Sequence, residues 1–119
     1  MAKIRYIVDD VDEAIDFYKE HLGFEVDMHP APGFAALSLG DLTLLLNQPG
    51  AGGAGRAGGD PKPGGWARFQ IEVGDVAALV EQLRSAGVEL RGDVVSGQGG
   101  KQALVVDPSG NLIELFQPA

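Results

Sequence analysis

The sequence predicts an α+β fold, a single domain built from two tandem βαβββ modules, and three observations carry that reading. The first is an internal repeat: KIRYIVDDVDEAIDFYKEHLGFEV, Lys3 to Val26, lies over RFQIEVGDVAALVEQLRSAGVEL, Arg68 to Leu90, and both read strand, Asp-Val, helix, Gly, strand. The second is the hydrophobic period, which passes from alternation to helical spacing within each copy. The third is the stretch between the copies, PGAGGAGRAGGDPKPGG, whose Gly and Pro content keeps it from packing a core. Module one therefore covers residues 1–48, a linker 49–65, and module two 66–119, and a chain of 119 residues suits one domain rather than two independent ones.

The elements follow in order. In the first strand Ile4, Tyr6 and Val8 alternate with Lys3 and Arg5; in its repeat Phe69, Ile71 and Val73 alternate with Arg68, Gln70 and Glu72. One face is apolar and the other polar in both. Asp10 and Asp75 are natural N-caps, and Asp10 with Glu13 has capping-box spacing. Val11, Ala14, Ile15, Tyr18 and Leu22 form one helical stripe, and Val76, Leu79, Val80 and Leu83 the other. Gly23 and Gly87 supply left-handed helix ends. Each helix should then cover the apolar face of a sheet. Further strands are expected in FEVDMH, FAALSLG and LTLLLNQP, then in VELRGDVV, KQALVVD and NLIELFQP, with turns at LGDL and DPSGN. The 49–65 segment is read as a connector, a lid being the alternative.

Composition removes several function classes. Cysteine is absent, which excludes disulfides, thiolate metal sites and a cysteine nucleophile. Apolar runs are far too short for a membrane span, and MAKIRYIVDD meets acids without a signal-peptide core, so a soluble cytoplasmic protein is expected. A net charge of -8 argues against nucleic-acid binding, which needs clustered Lys and Arg. GQGGK, Gly97 to Lys101, lacks the strand-loop-helix context of a phosphate loop. His21 reads as a surface helix residue and His29, in HPAP, as a loop residue.

One residue stands out against its surroundings. Glu114 interrupts the apolar run Leu112, Ile113, Leu115, Phe116 in a strand that reads as buried.

The paired modules, with DDVDEAIDFYKEHLGFEV near the start and DPSGNLIEL near the end, resemble the vicinal oxygen chelate superfamily of glyoxalase I, bleomycin-resistance proteins, fosfomycin-resistance enzymes and extradiol dioxygenases. The resemblance covers nearly the whole chain. It implies a curled mixed sheet with a concave cleft, helices on the outer face, and in active members a divalent metal held by His or Glu from the first and last strands of each module. Carried over residue by residue, the first-strand His positions fall on Lys3 and Arg68. The last-strand acid of module one falls on Leu44 when counted from Gly40, with Thr43 or Leu45 one residue away. Only Glu114 remains as a ligand type. One carboxylate beside two cations does not supply the roughly three donors that a catalytic ion requires, so no metal or other cofactor is expected. Arg68 is expected to form a bidentate ion pair with Glu114.

Two functional classes follow. The favoured one is a metal-free, homodimeric small-molecule-binding protein like the bleomycin-resistance branch, with Lys3, Arg5, Leu44, Trp66, Arg68, Gln70 and Glu114 as ligand-binding candidates. The alternative is a lyase, isomerase or dioxygenase-type enzyme with Glu114 as proton shuttle, metal-dependent if the ligand positions are misaligned. For the Arg68 and Glu114 cluster itself the plain reading is a satisfied buried charge. The functional reading is a receptor for an anionic or carbonyl oxygen.

Overall fold

In a computed structural model that describes residues 2–119, hydrogen bonding divides the strands into two four-stranded sheets, one for each repeat. The first unit, Met1–Gly64, contains β1 (Ile4–Ile7), α1 (Val11–Leu22), β2 (Glu25–Ala31), β3 (Phe34–Leu39) and β4 (Leu42–Asn47). Its strand order is β1-β4-β3-β2, with β1 and β4 parallel and the remaining pairs antiparallel. The second unit, Gly65–Ala119, contains β5 (Arg68–Glu72), α2 (Val76–Ser85), β6 (Val95–Ser96), β7 (Gly100–Val106) and β8 (Leu112–Pro118). Its order, β5-β8-β7-β6, repeats the first with the same single parallel pair. Both sheets are mixed and open. The chain is thus α+β, with two tandem modules.

The helix ends form as their sequence dictates. Asp10 Oδ1 accepts the Glu13 N–H at 3.1 Å and Asp75 Oδ1 the Ala78 N–H at 3.1 Å, each relieving an orphan donor of the first turn. Gly23 ends α1 at φ 78°, a left-handed conformation that costs an L side chain energy and glycine none.

Each helix packs on one face of its own sheet. In the first unit α1 sets Val11, Ala14, Ile15 and Tyr18 against β-strand residues such as Ala35, Leu37, Leu44 and Leu46, all buried. Register explains that grouping: Leu44 pairs with Ile4 and Leu37, and Leu46 with Tyr6 and Ala35, so all share one face. In the second unit Phe69, Ile113 and Val105, with Leu115 and Ala103, form the corresponding face beneath Val76, Val80 and Leu83. Burying each large aliphatic side chain contributes about 1.5–3 kcal/mol. Among the described residues no helix is long and apolar enough to cross a membrane.

Two segments depart from expectation. VELRGDVV does not form a continuous strand: Leu90 makes an isolated bridge to Val105, Gly92 turns at φ 80°, and pairing resumes only at Val95–Ser96. The Arg-Gly-Asp bend breaks the strand that valines on either side suggested. HPAP, conversely, is no loop, because β2 runs through His29 and Pro30 to Ala31 at the sheet edge, where a missing proline N–H costs no ladder bond.

Candidate functional site

Glu114 sits in the middle of β8 and is only 8% exposed. Its β5 partner is Gln70 and its β7 partner is Leu104, so it projects from the sheet face opposite α2, together with Arg68. Both carboxylate oxygens are taken. Arg68 Nε donates to Oε1 at 2.9 Å, and Gln70 Nε2 donates to Oε2 at 2.6 Å. The expected Arg68–Glu114 pair forms, but through Nε alone rather than bidentately, because Gln70 claims the second oxygen and Arg68 Nη1 turns to the Trp66 carbonyl at 3.4 Å. No buried side-chain nitrogen or oxygen is left without a partner among the described residues. The acid in the apolar strand is therefore an anion with a hydrogen-bond donor on each oxygen.

Trp66 is 62% exposed, and the Arg91 guanidinium lies 4.9 Å from its ring centroid. Arg91 was not legible as a site residue in the sequence, since it lies in the segment read as a strand. Its backbone N–H donates to Leu104 O at 2.9 Å beside the Leu90–Val105 bridge, which puts its side chain on the face of Leu104 and Glu114.

The remaining candidates belong to the first unit. Lys3 is exposed just ahead of β1. Arg5 Nη1 donates to Asn47 Oδ1 at 2.7 Å, and wholly buried Asn47 in turn donates from Nδ2 to the Gln48 and Ala51 carbonyls, each at 3.0 Å. Leu44 is a correction. It is 0% exposed on the helix-covered face, in register with Ile4, and presents nothing to a ligand. The counterpart of Glu114 is Leu45: Arg5 and Gln70 each stand five residues before a capping aspartate, Asp10 and Asp75, and pair with Leu45 and Glu114 respectively. Counting from the turn glycine fails because the turns differ in length. Gly40-Asp41 separates the paired residues Leu39 and Leu42, whereas Asp107 to Asn111 separates Val106 and Leu112.

The donor set does not suit a divalent ion. A metal ligand must offer a lone pair, and the carboxylate lone pairs here face an arginine and an amide N–H. Lys3 and Arg68, at the first-strand positions, are cations. No group of three His, Cys, Asp or Glu side chains able to hold a metal occurs among the described residues.

Two open βαβββ units, one carrying a charged cluster on the sheet face away from its helix, define a paired-module protein of the kind the repeat announced. Residues 1–115 match the family model of the Glyoxalase/Bleomycin resistance protein/Dioxygenase superfamily, and the chain belongs to it. Among solved structures it is similar to TnmS3, an antibiotic binding protein from Streptomyces sp. CB03234, at 29% identity and TM-score 0.75, over 100% of this chain and 96% of that one. A lactoylglutathione lyase from Agrobacterium tumefaciens (19% identity, TM-score 0.76, 98% and 92% coverage) shares the fold. So does the fosfomycin resistance protein FosX from Listeria monocytogenes (17%, 0.78, 100% and 91%). No curated protein matches the chain.

Proposed function

We propose that this chain is a metal-independent small-molecule-binding protein of the superfamily, working as a homodimer, and that it receives its ligand on the second unit's sheet face around Arg68, Gln70 and Trp66. The observation that carries this reading is the double engagement of Glu114 by Arg68 Nε and Gln70 Nε2. A carboxylate so occupied acts as a strut. It fixes the guanidinium and the amide in one geometry, so that their remaining polar atoms meet a ligand without further loss of rotamer freedom. The same engagement weighs against a general base, since both carboxylate oxygens are tied to donors of the cluster and a base must be placed to reach the proton it removes. The similarity to an antibiotic binding protein favours binding over catalysis. In the first unit Arg5 is committed to Asn47.

The test is metal content and ligand-induced stabilisation measured on one preparation. Protein purified without chelators and exposed to zinc, nickel, manganese and ferrous iron should retain well below one metal per chain. A screen of drug-like molecules should yield compounds that raise Tm. Tight stoichiometric metal overturns the proposal and directs attention to lyase and dioxygenase assays. Light scattering should give the mass of two chains; a monomer that still binds removes only the dimer.

A further inference from the structure

The proposed binding face has a chemical character that narrows its ligand. Trp66 joins two guanidinium groups: Arg68 donates from Nη1 to its backbone carbonyl, and Arg91 lies against its ring. Neither arginine is used up. Arg68 spends Nε on Glu114 and Nη1 on Trp66, leaving its Nη2 amino group, and Arg91 enters no ion pair among the described residues. A cation on one face of an indole draws π density toward itself, which leaves the other face better suited to an electron-rich ring than to another cation. The 62% exposure of Trp66 shows that much of its surface is open. The polar atoms next to it are thus donors, and each oxygen of Glu114 already accepts a hydrogen bond.

Two other acids share this face, Glu72 in the row of Phe116 and Glu89 beside Val106. Neither is within ion-pair distance of Arg68 or Arg91, so the donors beside Trp66 are not neutralised by them.

We propose that the site takes a planar aromatic acid, its ring stacked on the open face of Trp66 and its carboxylate held by the free edge of Arg68, with Arg91 backing the indole from the opposite face. This inference rests on the proposed binding function and deepens it by naming the ligand class. Arg91 is its positioning residue, holding the indole and lending it positive charge, while the guanidinium fork of Arg68 suits a carboxylate better than an ammonium would.

Calorimetric titration of the full chain with three probes tests it: 2-naphthoate, planar and anionic; 2-naphthylmethylammonium, planar and cationic; and cyclohexanecarboxylate, anionic without a π-face. The expected order has 2-naphthoate tightest, with Arg91→Ala weakening it about tenfold or more, Arg91→Lys recovering only part of that, and Trp66→Ala weakening it comparably. Arg91 is exposed, and circular dichroism checks that its variants fold. Tighter binding of the cationic probe overturns the assignment and leaves small-molecule binding intact, as does 2-naphthoate binding that Arg91→Ala does not alter. If no probe binds, the ligand class is wrong. If the drug-like screen on the same preparation also finds nothing, the binding function falls with it.

Discussion

A carboxylate at 8% exposure in an apolar strand is tolerated because each of its oxygens accepts a hydrogen bond within its own unit. Such a pair contributes little net stability, since desolvating both ions offsets their attraction, yet removing one partner alone is costly. Arg68→Ala should therefore destabilise the fold by about 2–4 kcal/mol, more than Glu114→Gln at about 1–2 kcal/mol, because the first leaves a buried anion held by one amide. Urea unfolding measures both. The double variant Arg68→Met/Glu114→Leu should return to within about 1 kcal/mol of the natural protein and bind no ligand. That outcome separates the roles of the cluster: a stable double variant that still binds would leave Arg68 and Glu114 as structural relics only. The pairing of Arg68 with Glu114 was legible because the family resemblance put both at converging ligand positions, although in register Arg68 stands opposite Leu112. Gln70 was legible as a residue of the same polar face. Its claim on the second oxygen was not, since only the β5–β8 register brings the amide opposite Glu114.

At the scale of elements, the segment between the repeats is more than a tether where it leaves β4. Ala51 N donates back to Gln48 O at 3.0 Å, Gly59 N to Ala54 O at 2.8 Å, and Asn47 holds the Ala51 carbonyl while accepting from Arg5. Gly52, at φ 83°, lies so close to this contact that a Cβ there would stand 2.9 Å from Asn47 Nδ2 and closer still to Arg5 Nη1. Gly53 has φ 87° and nothing within 4 Å of the equivalent position. Both alanine variants bear the cost of a left-handed backbone, about 1–2 kcal/mol, but only Gly52→Ala also collides with the Arg5–Asn47 latch. Tryptic cleavage at Arg56, followed by mass spectrometry, should accelerate about tenfold in Gly52→Ala and distinctly less in Gly53→Ala. Equal rates would show that the latch does not hold the loop. Elements with a strong period were readable in advance: both helices with their aspartate caps, and the strands on either side of DPSGN. The turns within the glycine-rich stretch were not, because glycine repeats carry no hydrophobic period. The break at Gly92 was hidden by the valines around it, and the Leu44 assignment failed because turn length, not spacing from a glycine, sets register.

Over the whole molecule, charge sets a competition between distance scales. The chain carries 17 acids against 9 Lys and Arg, so an anion approaching from afar meets repulsion, yet the groups beside Trp66 are two guanidiniums. The remote field acts over tens of ångströms at low salt and is cut to a Debye length of about 8 Å at physiological ionic strength, whereas contact with Arg68 lies inside that length at either condition. Salt should therefore speed the encounter and barely alter the bound state. Trp66 is the sole tryptophan, so its fluorescence reports occupancy directly. Stopped-flow mixing with 2-naphthoate should show an association rate that rises about two- to fivefold between about 10 and about 150 mM sodium chloride, with a nearly constant dissociation rate. The cationic probe, if it binds at all, should associate more slowly over the same range. An association rate for 2-naphthoate that falls with salt would mean that the two arginines, rather than the acidic surface, dominate the approach. The acidic surface would then give solubility without acting as a barrier to the ligand.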